Sequence, residues 1–295
     1  MANSITSELT ISTAVSVLGD LLAPLNAFTK NISSEVVGRQ AKIKVPVIST
    51  QDKARDLITS GSGAGYGVNA ESAVTLVDVD IVERIKPFHL LDNDMNKSPL
   101  TLQSYAKQNA HEFGRYLLNI LYTALDTEAG TTGSTMGKAT KASSSVAVAD
   151  IKGIASNLDT AGAPMDRHLI LSAGANTNLL PSTIETFGTS TLEGGRFNQL
   201  YGMQAYVSSA HNTGTAKVHS FGCSSDAIVI VNRMPDVSGG ATLEEYTPFT
   251  IDGIGIQCAY RRYYDASMGD HFGAFTANFG LALVKPTNIS VLRAS

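Results

Sequence analysis

Several groups of residues in this 295-residue chain have the types that chemistry needs, and their spacing decides what they can do. Gly133-Ser-Thr-Met-Gly-Lys138 carries the glycines and lysine of a phosphate-binding loop. Its first Gly stands one residue too close to the Gly-Lys pair, and Ala139 occupies the place of the Mg²⁺-binding Ser or Thr. His211, His219 and Cys223 are metal-donor types, but their intervals match no common zinc site and their surroundings are rich in Ser, Thr and Gly. Glu244 and Glu245 are adjacent; on a regular strand adjacent side chains point to opposite faces, so they cannot flank a glycosidic bond as a catalytic pair. His111 and Glu112 lack the second histidine four residues away that a helical metalloprotease site requires. Residues 61–67 have alternating glycines without the spacing of a dinucleotide fingerprint, and no Gly-x-Ser-x-Gly elbow supplies a serine nucleophile. No catalytic, cofactor-binding or metal residue is nominated. The chain reads as a non-enzyme without a cofactor.

The totals point the same way. A net charge of −4 and the lack of a strong basic patch argue against a dedicated nucleic-acid binder. Two cysteines, Cys223 and Cys258, cannot form a disulfide framework. No apolar run is expected to reach bilayer length and no basic leader precedes residue 30, which suits a soluble, unsecreted protein. Only 16% of residues are charged, so much of the surface is expected to be covered by partners.

The element around which the rest is arranged is a long amphipathic helix over residues 98–125. Ser98 caps it and Pro99 suits its first turn. Apolar residues recur at Leu102, Ala106, Ala110, Phe113, Leu117, Leu121 and Leu125 with helical period. At 1.5 Å per residue it is about 40 Å long, a domain diameter. Gly114 in its middle predicts a close backbone contact or a bend.

Before it, residues 1–35 form an apolar amphipathic arm ending near Pro24, which must bury its stripe against another part of the chain or a neighbouring subunit. Residues 40–48 and 74–85 alternate with period two and form a long hairpin. Residues 30–55 hold six basic and two acidic side chains, and residues 71–94 the reverse. Lys42 and Lys44 against Asp78 and Asp80 favour strand pairing, and equally docking on a second copy. Tyr66 is the one packing residue at the Gly-rich tip. These five are the candidate intersubunit contacts. After the long helix come a polar loop at 130–140, a helix at 147–159, a turn and strand at 162–172, a helical turn at 176–181, an open Gly-rich stretch at 187–199, and strands at 202–208, 227–231, 255–264, 279–284 and 289–292.

In this order the parts resemble the major capsid protein of tailed double-stranded DNA bacteriophages, the Hong Kong 97-type α+β capsid fold. The resemblance spans nearly the whole chain. It rests on the arm, the extended hairpin, the spine helix, and Leu158-Asp-Thr-Ala-Gly-Ala-Pro-Met-Asp-Arg167 followed by Leu169-Ile-Leu-Ser172. Tyr201-Gly-Met-Gln-Ala-Tyr-Val-Ser-Ser209, and Ala259-Tyr-Arg-Arg-Tyr-Tyr-Asp265 with Phe279-Gly-Leu-Ala-Leu-Val-Lys-Pro286, complete it. It implies an N-terminal arm (1–39), an extended E-loop and approach to the spine (40–97), a P-domain spine helix and loop (98–146), an A-domain (147–250) and C-terminal P-domain strands (251–295). It also implies hexamers and pentamers of an icosahedral virion shell assembled in the host cytoplasm around DNA contacted non-specifically. Scaffolding, portal and decoration proteins are the implied further partners, with no membrane. Some family members crosslink through a Lys–Asn isopeptide bond; nothing marks Lys53 or Asn288 as such a pair. An encapsulin-like nanocompartment shell is the alternative on the same fold, and an α+β enzyme the more remote one. The spine is expected to pack near Tyr260 and Leu283.

Overall fold

The computed structural model describes residues 2–33, 41–49, 73–90, 99–187, 192–193, 196–208, 210–211, 214–236, 243–251, 253–267 and 269–295. In chain order the elements are α1 (Ala2–Phe28), β1 (Lys30–Asn31), β2 (Lys42–Ser49), β3 (Ala73–Asp80), β4 (Val82–Leu90), α2 (Pro99–Gly130) and β5 (Gly137–Thr140). They continue with α3 (Val148–Thr160), β6 (Arg167–Ser172), α4 (Ala173–Phe187), β7 (Leu192–Glu193), β8 (Arg196–Phe197), β9 (Gln199–Leu200), β10 (Met203–Ser208) and β11 (Val218–Ser224). The last are β12 (Ile228–Arg233), β13 (Leu243–Ile251), β14 (Ile256–Asp265), β15 (Asp270–Leu283) and β16 (Ile289–Arg293).

The spine α2 forms as its periodicity dictates and runs five residues past Leu125. Its stripe Ala106, Ala110, Phe113, Leu117, Leu121 and Leu125 is buried. The partner of that stripe is α1. Ala14, Leu18, Leu22, Leu25 and Phe28 of the arm are buried in the same core cluster. A Cβ on Gly114 would lie 2.6 Å from Leu21 Cδ2 and 3.0 Å from Leu18 Cδ2, so the glycine marks the close approach that its position predicts. Of the two partners open to the arm, the chain itself supplies one.

The arm differs from expectation in two further ways. It does not stop near Pro24 but continues to Phe28, where Thr29 N–H and Oγ1–H both donate to Leu25 O. An interior proline costs about 3 kcal/mol. Burying Leu25 and Phe28 returns about 1.5–3 kcal/mol each, so packing carries the helix through. Second, the stretch Glu8–Phe28 is long and apolar enough to cross a membrane by length and composition, which the sequence was not expected to contain. Ser, Thr and Gly on its outer positions hide that apolar character from a reading by runs; its inner stripe is buried against the spine.

Two six-stranded sheets flank the helices. One has the order β1-β12-β15-β14-β13, with β4 on the opposite flank of β15. The other runs β5-β16-β11-β6-β10-β9. Residues 147–250 supply strands to both sheets, and so do residues 251–295, since β16 pairs with β11 while β14 and β15 pair with each other. The main core joins α1 and α2 to the inner faces of both. Phe28 and Tyr122 each meet Phe221 edge-on, and Phe113 stacks on Phe275 at 6.3 Å. The spine thus packs beside Tyr260 as expected, with Phe88 bridging Tyr260 and Phe275. Leu283 shares a surface cleft with Tyr116 and Ile120 of the spine. A second core lies between α3, α4 and the outer face of the β11 sheet, formed by Ile151, Ile154, Leu158, Leu169, Leu171 and Leu179 among others.

Candidate assembly surface

Among the described residues two short two-stranded sheets stand apart from the six-stranded ones, β7–β8 and the longer β2–β3 ribbon. Its register pairs Lys42 with Asp80, Lys44 with Asp78, Val45 with Val77 and Pro46 with Leu76. Pro46 lacks the N–H that a further neighbour would need on that side, which suits the edge position its sequence predicts. The 74–85 run divides at Ile81: the second half, β4, leaves the ribbon and pairs with β15.

One face of the ribbon base is anchored. Ile43, Val45, Val79 and Ile81 are buried against Ile32, Val229 and Val231. Asp80 O would lie 2.4 Å from a Cβ on Gly280, so β15 admits the ribbon only because that residue has no side chain. The opposite face carries the charges. Lys42 Nζ lies 3.2 Å from Asp78 Oδ2 and 3.3 Å from Asp80 Oδ1. Hydrogen bonds to Asp78 first, then to Asp80, hold the Lys42 ammonium above the ordinary lysine range. Of the two roles open to these charges, pairing within the chain is occupied by Lys42. Lys44 lies across from Asp78 and is exposed. Tyr66 lies outside the described residues.

Farther out on the same face are Val74 and Leu76, 57% and 55% exposed. The sequence reading did not single them out, although the signal was present: residues 74, 76, 78 and 80 share a face by strand parity. The ribbon therefore presents charge at its base and apolar surface toward its end.

The described residues of the other groups make contacts within the chain, and residues 61–67 lie outside the described residues. Lys138 Nζ donates to Thr131 O within its own loop. His219 is buried between Ser220 and Lys141 O, and among the described residues no group of three or more His, Cys, Asp or Glu could hold a metal ion. Cys223 and Cys258 are free and buried. Glu112 reaches Lys86 Nζ at 2.6 Å, which holds its carboxyl below the usual range, as a helix-surface pair would. Glu244 and Glu245 do not diverge as regular strand geometry requires. A register shift between Leu243 and Glu245 lets both approach Arg262, Glu244 Oε2 at 3.1 Å from Nε and Glu245 Oε2 at 3.9 Å from Nη1. Arg167, in the motif that carried the resemblance, is buried and donates to Pro164 O and Ala163 O while pairing with Asp159. It braces the turn that exposes Met165.

No family model and no curated protein matches the chain. Solved structures do. The cyanophage P-SCSP1u capsid superposes with a TM-score of 0.60 at 13% identity, covering 92% of this chain and 88% of that one. The capsid of a native GTA particle gives 0.61 at 10% identity, covering 92% and 90%. A virus-like particle from Pyrococcus furiosus gives 0.54 at 12% identity, covering 96% of each. The chain has the Hong Kong 97-type capsid fold. Along the chain the arm, the β2–β3 ribbon and the spine helix follow one another in that order. At such low identity the shared feature is the path of the backbone, set by where apolar faces fall.

Proposed function

We propose that this protein is the major capsid protein of a tailed double-stranded DNA phage, self-assembling into hexamers and pentamers of an icosahedral head that encloses the genome. The observation that carries the reading is the match to phage and GTA capsid folds over about nine-tenths of the chain. The ribbon supports it: a charged base and exposed Val74 and Leu76 serve a neighbouring copy better than they serve a monomer. In this reading Lys42, Lys44, Tyr66, Asp78 and Asp80 lie at contacts between subunits. The spine helix and the β12–β15 sheet form the P-domain, and the β11 sheet with α3 and α4 forms most of the A-domain. Packaged DNA is contacted without sequence readout in this reading. Scaffolding, portal and decoration proteins are the expected further partners of such a virion shell.

Electron microscopy of purified protein, with light scattering across concentrations, tests this. Closed shells or capsomers are expected; a monomer at every concentration overturns it. A nanocompartment shell is the second reading on the same fold, and the match to a virus-like particle covers 96% of both chains. Nuclease-protected DNA inside purified shells supports the first reading, and a co-purifying protein cargo without DNA supports the second.

A further inference from the structure

Both sheets hold histidines, at different depths. In the β11 sheet His219 is buried and ordered by its partners. Its Nε2 lies 2.8 Å from Lys141 O, an acceptor only, so Nε2 carries the proton. Nδ1 then accepts from Ser220 Oγ at 3.0 Å. Ser220 Oγ in turn accepts Ser172 N–H at 3.0 Å, and Ser172 Oγ accepts Ala175 N–H at 3.2 Å at the start of α4. This buried relay ties the loop after β5 to β11, β6 and α4, and it works with neutral His219. A proton on Nδ1 would face Ser220 Oγ with a second donor and leave the serine's own hydrogen without its acceptor. One strand away, His168 is 3% exposed, and neither ring nitrogen makes a hydrogen bond among the described residues. Asp166 Oδ1 lies 3.2 Å from its Nε2 outside hydrogen-bond geometry.

The charged and titratable neighbours do not reverse this. Around His219 stand Asp126, already accepting Val218 N–H and pairing with Lys217, the cationic Lys141 and Arg293, and His211. Around His168 stand Asp166 and Arg167 on its own strand end, Tyr206 on β10 with its ring 6.0 Å away, Cys223 across β11, and Asp226 in the following turn. His211 faces Tyr122 and Arg115 of the spine. Burial holds His168, His211 and His219 below the ordinary imidazole range, outweighing Asp166 at the first and backbone carbonyl oxygens at the other two. The sign follows from linkage. The unfolded chain takes up protons first as pH falls through about 6.5, so the folded β11 sheet loses stability on the acid side of that value.

The β14–β15 end of the other sheet holds its histidines nearer the surface. His89 Nε2 lies 2.9 Å from Asp270 Oδ2, and His271 Nδ1 lies 3.0 Å from Glu244 Oε2. The remaining neighbours are the Phe272 ring and the Tyr105 hydroxyl, which donates to His89 O, and for His271 the Tyr264 ring and Arg262, which shares Glu244.

We propose that the subunit is built with an acid-sensitive layer: protonation breaks the His219–Ser220–Ser172 relay and loosens the β6-β10-β11 sheet while the β14–β15 end stays closed. The inference goes beyond the capsid reading and does not depend on it.

Hydrogen exchange on the full-length chain at about pH 7.5 and about pH 5.5, corrected for intrinsic rates, tests it. Protection over 167–172 and 218–224 is expected to fall by about tenfold, with little change over 256–265 and 270–283. The double variant His168→Gln, His219→Gln is expected to lose most of that pH response. Equal loosening of both sheets, no loosening, or an undiminished response in a folded double variant overturns the proposal. Should the double variant not fold, histidine ring resonances of the wild type decide: His168 and His219 must stay neutral until the β11 sheet opens, and simple titration within the closed sheet refutes it.

Discussion

Leu21 of α1 occupies the space that a side chain on Gly114 of α2 would fill, its Cδ2 lying 2.6 Å from the position of a Cβ. The docking of arm on spine is therefore written into one missing atom. Gly114→Ala gains about 1 kcal/mol of helix propensity and displaces only the end of a flexible side chain, so its midpoint in denaturant should move little. Gly114→Ile cannot be absorbed and should cost about 1–3 kcal/mol, with new protease cleavage in the arm. Equal midpoints for the two variants would contradict this packing.

Lys42 bridges Asp78 and Asp80. Lys42→Glu places three carboxylates on one face of the ribbon base and should weaken assembly, read as a rise in the concentration at which light scattering appears. Adding Asp78→Lys and Asp80→Lys should restore part of the loss. No recovery in the triple variant means the charges are only solvated.

Val74 and Leu76 are exposed in the subunit, so Val74→Thr with Leu76→Gln should change its unfolding free energy by no more than about 0.5 kcal/mol. If their apolar surface is covered in the shell, the assembly threshold should rise by about tenfold, one side chain's partial burial being worth over 1 kcal/mol. An unchanged threshold removes them from the interface.

Arg167 satisfies two carbonyl oxygens in the turn after α3 from a buried position. Arg167→Ala strands those acceptors and should lower stability by about 1–3 kcal/mol in chemical denaturation. Asp159→Asn, at an exposed carboxylate, should cost far less. Equal losses would place the energy in the ion pair instead of the turn.

Cys258 has its thiol pushed up to about 12 by burial, and burial raises Cys223 as well. Neither should react with a soluble disulfide reagent in the folded protein, and both should react on denaturation. Rapid labelling of the native chain would show that the core opens.

How much of this was legible depended on whether an element shows one wet face. The spine, α3 and the ribbon strands each carry a clear period, and their reading survives in the structure. β11 was missed: Val218-His-Ser-Phe-Gly-Cys-Ser224 is buried along its whole length and has no alternation to detect. β13 was missed because Glu244 and Glu245 interrupt the pattern at a bulge. Gly273, Thr276 and Asn278 disguised the first half of β15, although Thr276 is fully buried and Asn278 largely so. Pro181 shortened the reading of α4, which continues to Phe187.

The sequence by itself determined which faces are apolar, where the rigid spine lies, and that a ribbon of split charge precedes it. Only the tertiary structure decided what covers each face. It docked the arm on its own spine, divided the hairpin at Ile81, turned both glutamates onto Arg262, and left Val74 and Leu76 open. The reason is physical: periodicity is a local property of the chain, whereas the partner that removes an apolar face from water comes from residues far away in sequence.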